Sequence, residues 1–311
     1  MTGATRAARV AAWQYPIESL ASFAAWRDKL ARGVAEAAAA GAVVLVMPEY
    51  SAMELTSLLA PDQQATLAGQ LAALQPLVPD YLAALADAAR AHRIAIVGGS
   101  FPERVPERGG AFYNRLRVVG PAGDAVLIEK LQMTRFERER WGITGGSAQA
   151  VIDLSGLADG LRLGVAICYD AEFPLIARRL AEAGANAIAV PSCTDTLAGY
   201  HRVRVACAAR ALENQCYAIQ APTVGTAPWS IAVDENIGAA GVFAPCDRGF
   251  PDDGVVALGP LNQPRVVVAE LDLARIDEVR RDGQVLGDRD WARPAHLAGA
   301  VTRVRLGPAS K

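Results

Sequence analysis

The chain of 311 residues has no excess of either charge, with 31 Lys and Arg against 33 Asp and Glu and a formal net charge of -2. That balance gives no reason to expect nucleic acid or an anionic membrane as partner. Cysteine is scarce and unpatterned. Its five copies (Cys168, Cys193, Cys207, Cys216 and Cys246) are odd in number and show no CxxC spacing. This argues against a disulfide framework and a structural zinc site, and for a reducing compartment. No stretch reaches about 18 uninterrupted apolar residues, so no membrane-spanning helix is expected. The opening run MTGATRAARVAAWQYP is too short and too interrupted to be a signal-peptide core. Neither GxGxxG after a strand nor GxxxxGK occurs, which disfavours a dinucleotide or P-loop site. With no linker and no internal repeat, the chain reads as one soluble, cytoplasmic unit over residues 1–311. From about residue 283 it has a loosely patterned tail of the kind that packs on a neighbour.

What is present is material for a large α/β core: 52% of residues are hydrophobic. Strands are expected at 8–13, 42–47, 93–100, 112–119, 124–130, 161–167, 186–190, 216–222 and 265–273. Helical periodicity is expected at 19–40, 80–92, 173–180, 199–215 and 274–282. The Gly- and Pro-rich stretch from 222 to 264 suggests short strands joined by loops.

Three positions carry chemistry. Cys168 stands where the apolar run LRLGVAI passes into the amphipathic segment FPLIARRL, at a strand-to-helix turn. A helix N-terminus there favours the thiolate and lowers the thiol pKa; read from this segment alone, simple packing of a buried cysteine is an equal alternative. Glu49 follows the buried run AVVLVM and Pro48, at the strand edge where open α/β sheets bind ligands. A lone glutamate is otherwise a solvated loop residue. Lys130 closes the second strand of a hairpin that turns at Gly120–Gly123, and on that evidence alone it is a solvated edge residue. Residues 131–147 form a polar and aromatic loop long enough to fold over a site; its Glu137 and Glu139 alternate with arginines, which by themselves suggest a surface ion-pair network. His92 suits a helix end, and His201 suits a pocket lining or an interface.

Together, MPEY (47–50), IEKLQMT (128–134), GVAICYDAEFP (164–174) and ARALENQCY (209–217) resemble, in order, the glutamate, lysine, cysteine and later helix boxes of the nitrilase superfamily of carbon-nitrogen hydrolases. The resemblance implies a four-layer α-β-β-α sandwich and a homodimer joined through the helices after Cys168 and around His201. It implies Cys168 as nucleophile, Glu49 as general base and acid, and Lys130 with the Tyr169 N–H as oxyanion donors. No cofactor or metal is required. A second glutamate of the family falls on Glu139 when counted back from Gly145-Gly146, with Glu137 as the alternative. Ser192 and Cys193 fall where the family lines its acyl pocket, and Trp141 would form a wall; core packing is an equal reading of these positions. The sequence Cys168-Tyr169-Asp170 looks more like the amidase and omega-amidase branches than like true nitrilases, which carry Cys-Trp-Glu. Omega-amidases have an arginine four residues after the nucleophile, where this chain has Glu172. FERERWGI, PSCTDTLAGY and APTVGTAPWS resemble a bacterial branch found beside or fused to acetyltransferase domains. The implied activity is hydrolysis of a small carboxamide or N-carbamoyl compound. Acyl transfer, nitrile hydrolysis and a silent binding module are the alternatives.

Overall fold

The strand Ala7–Pro16 divides its side chains between two environments. Val10 and Ala12 join one core, while Ala11, Trp13 and Tyr15 join another, as the two-residue period of a strand requires when both faces are covered. The structure, a computed structural model, describes residues 6–147, 149–291 and 301–305. Ala7–Pro16 pairs antiparallel with Arg265–Asp272 on one side and parallel with Val44–Val46 on the other. Ala95–Val97 follows in parallel, then Ala111–Val119 and Ala125–Glu129 antiparallel. A second sheet has Arg162–Val165, Ala187–Ser192 and Tyr217–Thr226 in parallel. Val151–Asp153 lies antiparallel at one edge and Gly241–Phe243 with Val255–Leu258 at the other. The two sheets touch edge to edge where Tyr15 pairs with Thr223 and Pro16 with Val224.

The sheets pack face to face. Val44, Val46 and Val97 of the first share a core with Leu163, Val165 and Val242 of the second. Outside the first sheet lie the helices Phe23–Ala39 and Val78–His92, whose Trp26, Leu30, Val34 and Leu85 pack on Leu45 and Ile96. Gly33 permits this approach, since a Cβ there would sit 2.2 Å from the Trp13 ring. Outside the second sheet lie Pro174–Glu182 and Leu197–Asn214, which bury Leu180, Val203 and Cys207. The result is the four-layer α-β-β-α sandwich. No helix among the described residues is long and apolar enough to cross a membrane.

Two local departures from the expected elements matter for the site. The apolar run at 42–50 contributes only Val44–Val46 to the ladder, because Pro48 lacks an N–H and turns the chain out of the sheet. After Cys168 the chain makes a short 3-10 turn, Cys168–Glu172, before the helix opens on Pro174 at its first position, where a missing N–H costs nothing. Of the expected tail, residues 292–300 and 306–311 lie outside the described residues. Just before them, Trp291 Nε1 donates to Glu213 O at 2.9 Å and Asp288 pairs with Arg178 at 3.2 Å, so this segment docks on its own chain.

Candidate active site

Each sheet delivers part of one cluster. Glu49 leaves the first sheet behind Val44–Val46, and Lys130 follows Ala125–Glu129. Cys168 leaves the second sheet behind Arg162–Val165. Both Tyr50, just past the glutamate, and Cys168 itself adopt left-handed backbone, with φ of 54° and 48°. For residues other than glycine this conformation costs about 1–3 kcal/mol. It reverses the chain within one residue, so both side chains stay at the strand ends.

Lys130 Nζ donates to Glu49 Oε1 at 2.7 Å and to Glu137 Oε2 at 2.6 Å. The ammonium is 1% exposed, so the sequence-only reading of a solvated edge lysine is wrong; two carboxylates offset its desolvation. The glutamate beside it is Glu137. Glu139 instead lies on the surface and pairs with Arg135 at 2.8 Å. The chain turns helically through Glu137–Trp141, so residues two apart face different directions, and counting from the Gly145-Gly146 turn does not fix which one points inward. Glu137 also accepts from Tyr50 Oη at 2.7 Å, Thr134 N at 2.8 Å and Thr134 Oγ1 at 2.9 Å.

These contacts separate the two carboxylates electrically. Burial raises the Glu49 pKa, Lys130 opposes that and the Glu137 charge adds to it, leaving Glu49 at about 7. Burial acts on Glu137 in the same sense, but Lys130, Tyr50 and the Thr134 N–H outweigh it and hold Glu137 below its usual range. Lys130 is pushed down by burial and further up by the two carboxylates, so it stays charged. The Cys168 thiol is raised well above its ordinary value, by burial first and then by the Glu49 carboxylate, with Lys130 opposing. The lowered thiol pKa expected from the sequence is therefore corrected: a five-residue 3-10 turn has little dipole to set against burial and a neighbouring anion. At rest Cys168 is a thiol beside a carboxyl group that titrates near neutrality.

The cluster forms the floor of a cavity of about 840 Å³ with Tyr50, Trp141, Tyr169, Cys193 and Ile231 in its walls. Trp141 meets the Tyr50 ring edge-on, 5.0 Å between centroids. Cys168 Sγ lies 3.8 Å from Cys193 O. Ser192 does not reach the cavity; it is fully buried and its hydroxyl donates to Ala221 O at 3.4 Å, because adjacent strand residues face opposite ways. His201 is exposed and is not among the residues that line the cavity, although its neighbours Arg202 and Val203 are. Two further residues were not singled out from the sequence. Asp170 accepts from Leu131 N at 3.1 Å and Gln132 N at 2.7 Å, tying the cysteine turn to the lysine segment, and burial raises its carboxyl to about 6. Asn114 donates to Glu49 Oε1 at 2.9 Å. It shares the inward face of its strand with Leu116 and Val118, and a polar residue in that alternation was the signal that could have found it. Among the described residues no set of three His, Cys, Asp or Glu side chains is arranged to hold a metal ion.

A four-layer sandwich with this seam of thiol, ammonium and carboxylates defines a nitrilase-type protein. The chain belongs to the carbon-nitrogen hydrolase family, whose model matches residues 9–281. It is 33% identical over 285 residues to the probable hydrolase YhcX of Bacillus subtilis, a match that covers 92% of this chain and 54% of that protein. The chain thus spans about half the length of that relative. It is 33% identical over 216 residues to an (R)-stereoselective amidase of Pseudomonas sp., covering 69% of this chain and 71% of the other. In fold it is similar to the amidase of Nesterenkonia sp. AN1, with a TM-score of 0.66 at 20% identity, over 94% of this chain and 96% of that one.

Proposed function

We propose that the chain is a cofactor-independent amidase that hydrolyses a small carboxamide or N-carbamoyl compound through a thioester on Cys168. The observation that carries this reading is the meeting of Cys168, Glu49 and Lys130 on one cavity floor. Glu49, poised near pH 7, takes the thiol proton as Sγ attacks the carbonyl carbon. The carbonyl oxygen becomes an oxyanion facing Lys130 Nζ and the Tyr169 N–H, which lies in the first turn after Cys168 and has no partner within it. The C–N bond breaks, and the proton on Glu49 passes to the leaving nitrogen. A water then gives a proton to Glu49 and its oxygen to the acyl carbon; the acid leaves, and the proton returns to sulfur. Glu137 keeps Lys130 charged and in place. The relative named as an amidase supports amide over nitrile chemistry, and in a mutant of the Nesterenkonia amidase the acetamide moiety of fluoroacetamide is added covalently at the active-site cysteine, which supports a reactive cysteine in this position of the fold.

The test is ammonia release from a panel of carboxamides and carbamoyl compounds, with the adduct on Cys168 weighed by intact-protein mass spectrometry. Cys168→Ala is expected to abolish both signals, and turnover unchanged in that variant refutes the assignment. Added hydroxylamine separates hydrolysis from acyl transfer by product ratio. The same reading includes a homodimer through the two outer helices of the second sheet, supported by the exposed Leu175, Val205 and Leu212; light scattering that gives only monomer at micromolar protein removes it.

A further inference from the structure

Asn114 touches three of the four groups in the cluster and lines no part of the cavity. Its backbone carbonyl accepts the Lys130 N–H at 3.0 Å. Its side-chain Nδ2 donates to Glu49 Oε1 at 2.9 Å and to Glu137 Oε1 at 3.3 Å. The residue is fully buried, and its Oδ1 has no hydrogen-bond partner among the described residues. An unpaired buried oxygen is unfavourable. The opposite orientation of the amide is worse, because it would aim that oxygen at two carboxylate oxygens. The amide is therefore oriented by the carboxylates, at the expense of its own acceptor.

We infer that Asn114 is a positioning residue that sets the division of labour between the two glutamates. It fixes Glu49 Oε1 beside Lys130, which leaves Oε2 to exchange the proton with Cys168, and it spaces Glu49 from Glu137 so that only one of them acts as base. Glu49 faces Lys130, Glu137, Cys168, Tyr50 and Cys193. Of these, Lys130 alone is cationic, and it is shared with Glu137. The Asn114 N–H is thus the donor to Glu49 that is neither an acid nor the shared ammonium. Its removal destabilises the Glu49 carboxylate, and the pH at which Glu49 becomes a base moves up.

The role rests on the amidase reading, so the experiment uses two readouts that fail separately. The first is kcat/KM for amide hydrolysis against pH. The second is the rate of Cys168 alkylation by iodoacetamide against pH, followed by peptide mass spectrometry, which needs no turnover. In Asn114→Leu and Asn114→Ser the acid limb of both profiles is expected to move up by about one pH unit, a tenfold loss of rate one unit below neutrality. Asn114→Asp, which adds a third carboxylate, is expected to move it further. Near-UV circular dichroism selects the variants that retain the native fold, and Ser tolerates what Leu does not. Limbs that stay at the wild-type pH in a folded variant overturn the inference. A wild type that hydrolyses no amide, while its alkylation limb still shifts in the variants, overturns the amidase reading and leaves the positioning role standing.

Discussion

Replacing Glu137 and Glu139 in turn by glutamine tests the site at its most specific point, because the two residues are two apart in sequence and unlike in surroundings. Glu137 Oε2 takes three donors, Lys130 Nζ, Thr134 N and Thr134 Oγ1, and Oε1 takes two, Tyr50 Oη and Asn114 Nδ2. A glutamine must turn its NH2 toward one of these sets. The less costly choice faces Tyr50, whose hydroxyl can rotate to accept; the other sets NH2 against an ammonium. Even so a buried ion pair is broken, for which the usual cost is about 3–5 kcal/mol. Lys130 keeps Glu49, so the lower end applies and Glu137→Gln should lose about 3 kcal/mol in urea unfolding. Turnover should fall about 100-fold as Nζ drifts from the position of the developing oxyanion. Among the described residues Glu139 pairs with an exposed partner four residues away, Arg135, and its glutamine variant should lose under about 0.5 kcal/mol and keep its rate. Ammonia release and urea denaturation on the two purified variants decide the matter. Equal losses, or a greater loss at Glu139, would refute the geometry on which the roles rest.

The remaining predictions follow from the same contacts. Glu49 is raised to about 7 from an unfolded value near 4.5, so its contribution to stability is present below about pH 4.5 and is lost as pH rises through about 7. Glu49→Gln removes this dependence and leaves Lys130 paired one-to-one with Glu137. The variant should therefore be inactive, yet gain up to about 3 kcal/mol on the wild type as pH rises across that window. Urea midpoints measured at both ends check it, and a gain that shrinks with rising pH contradicts it. Trp141→Ala removes an aromatic wall packed on Tyr50 and should raise KM about tenfold with little change in kcat, since the indole lines the cavity but carries none of the reacting groups; steady-state kinetics with the best amide of the panel tests this.

The architecture was largely legible in the sequence because its signals are local and repeated. Alternation in Ala7–Pro16 and the periodicity behind Phe23–Ala39 and Val78–His92 each mark an element that is present. Glu49 and Cys168 were legible for a related reason: each stands where an apolar run stops, and strand ends fix side chains over short distances. The segment 131–147 was not, since its conformation answers to contacts from Asp170 and Tyr50 far along the chain, and no spacing rule encodes them. Ser192 shows the same limit on a smaller scale. Its place in the chain was right, but one step along a strand turns a side chain from the cavity to the core. The thiol's protonation was misjudged because a turn was weighed without the carboxylate that sits beside it.

The seam between the sheets has a consequence for how reactivity is acquired. The Cys168 sulfur arrives on one half of the sandwich and the Glu49 carboxylate on the other, and the halves meet at their edges through Tyr15–Thr223 and Pro16–Val224. While the halves are apart, during synthesis or after partial opening, the cysteine is an unremarkable thiol and the glutamate an ordinary anion in water. The pairing of this thiol with this carboxylate therefore exists only where the two sheets are docked, so the cluster is a product of the whole sandwich and of neither half alone.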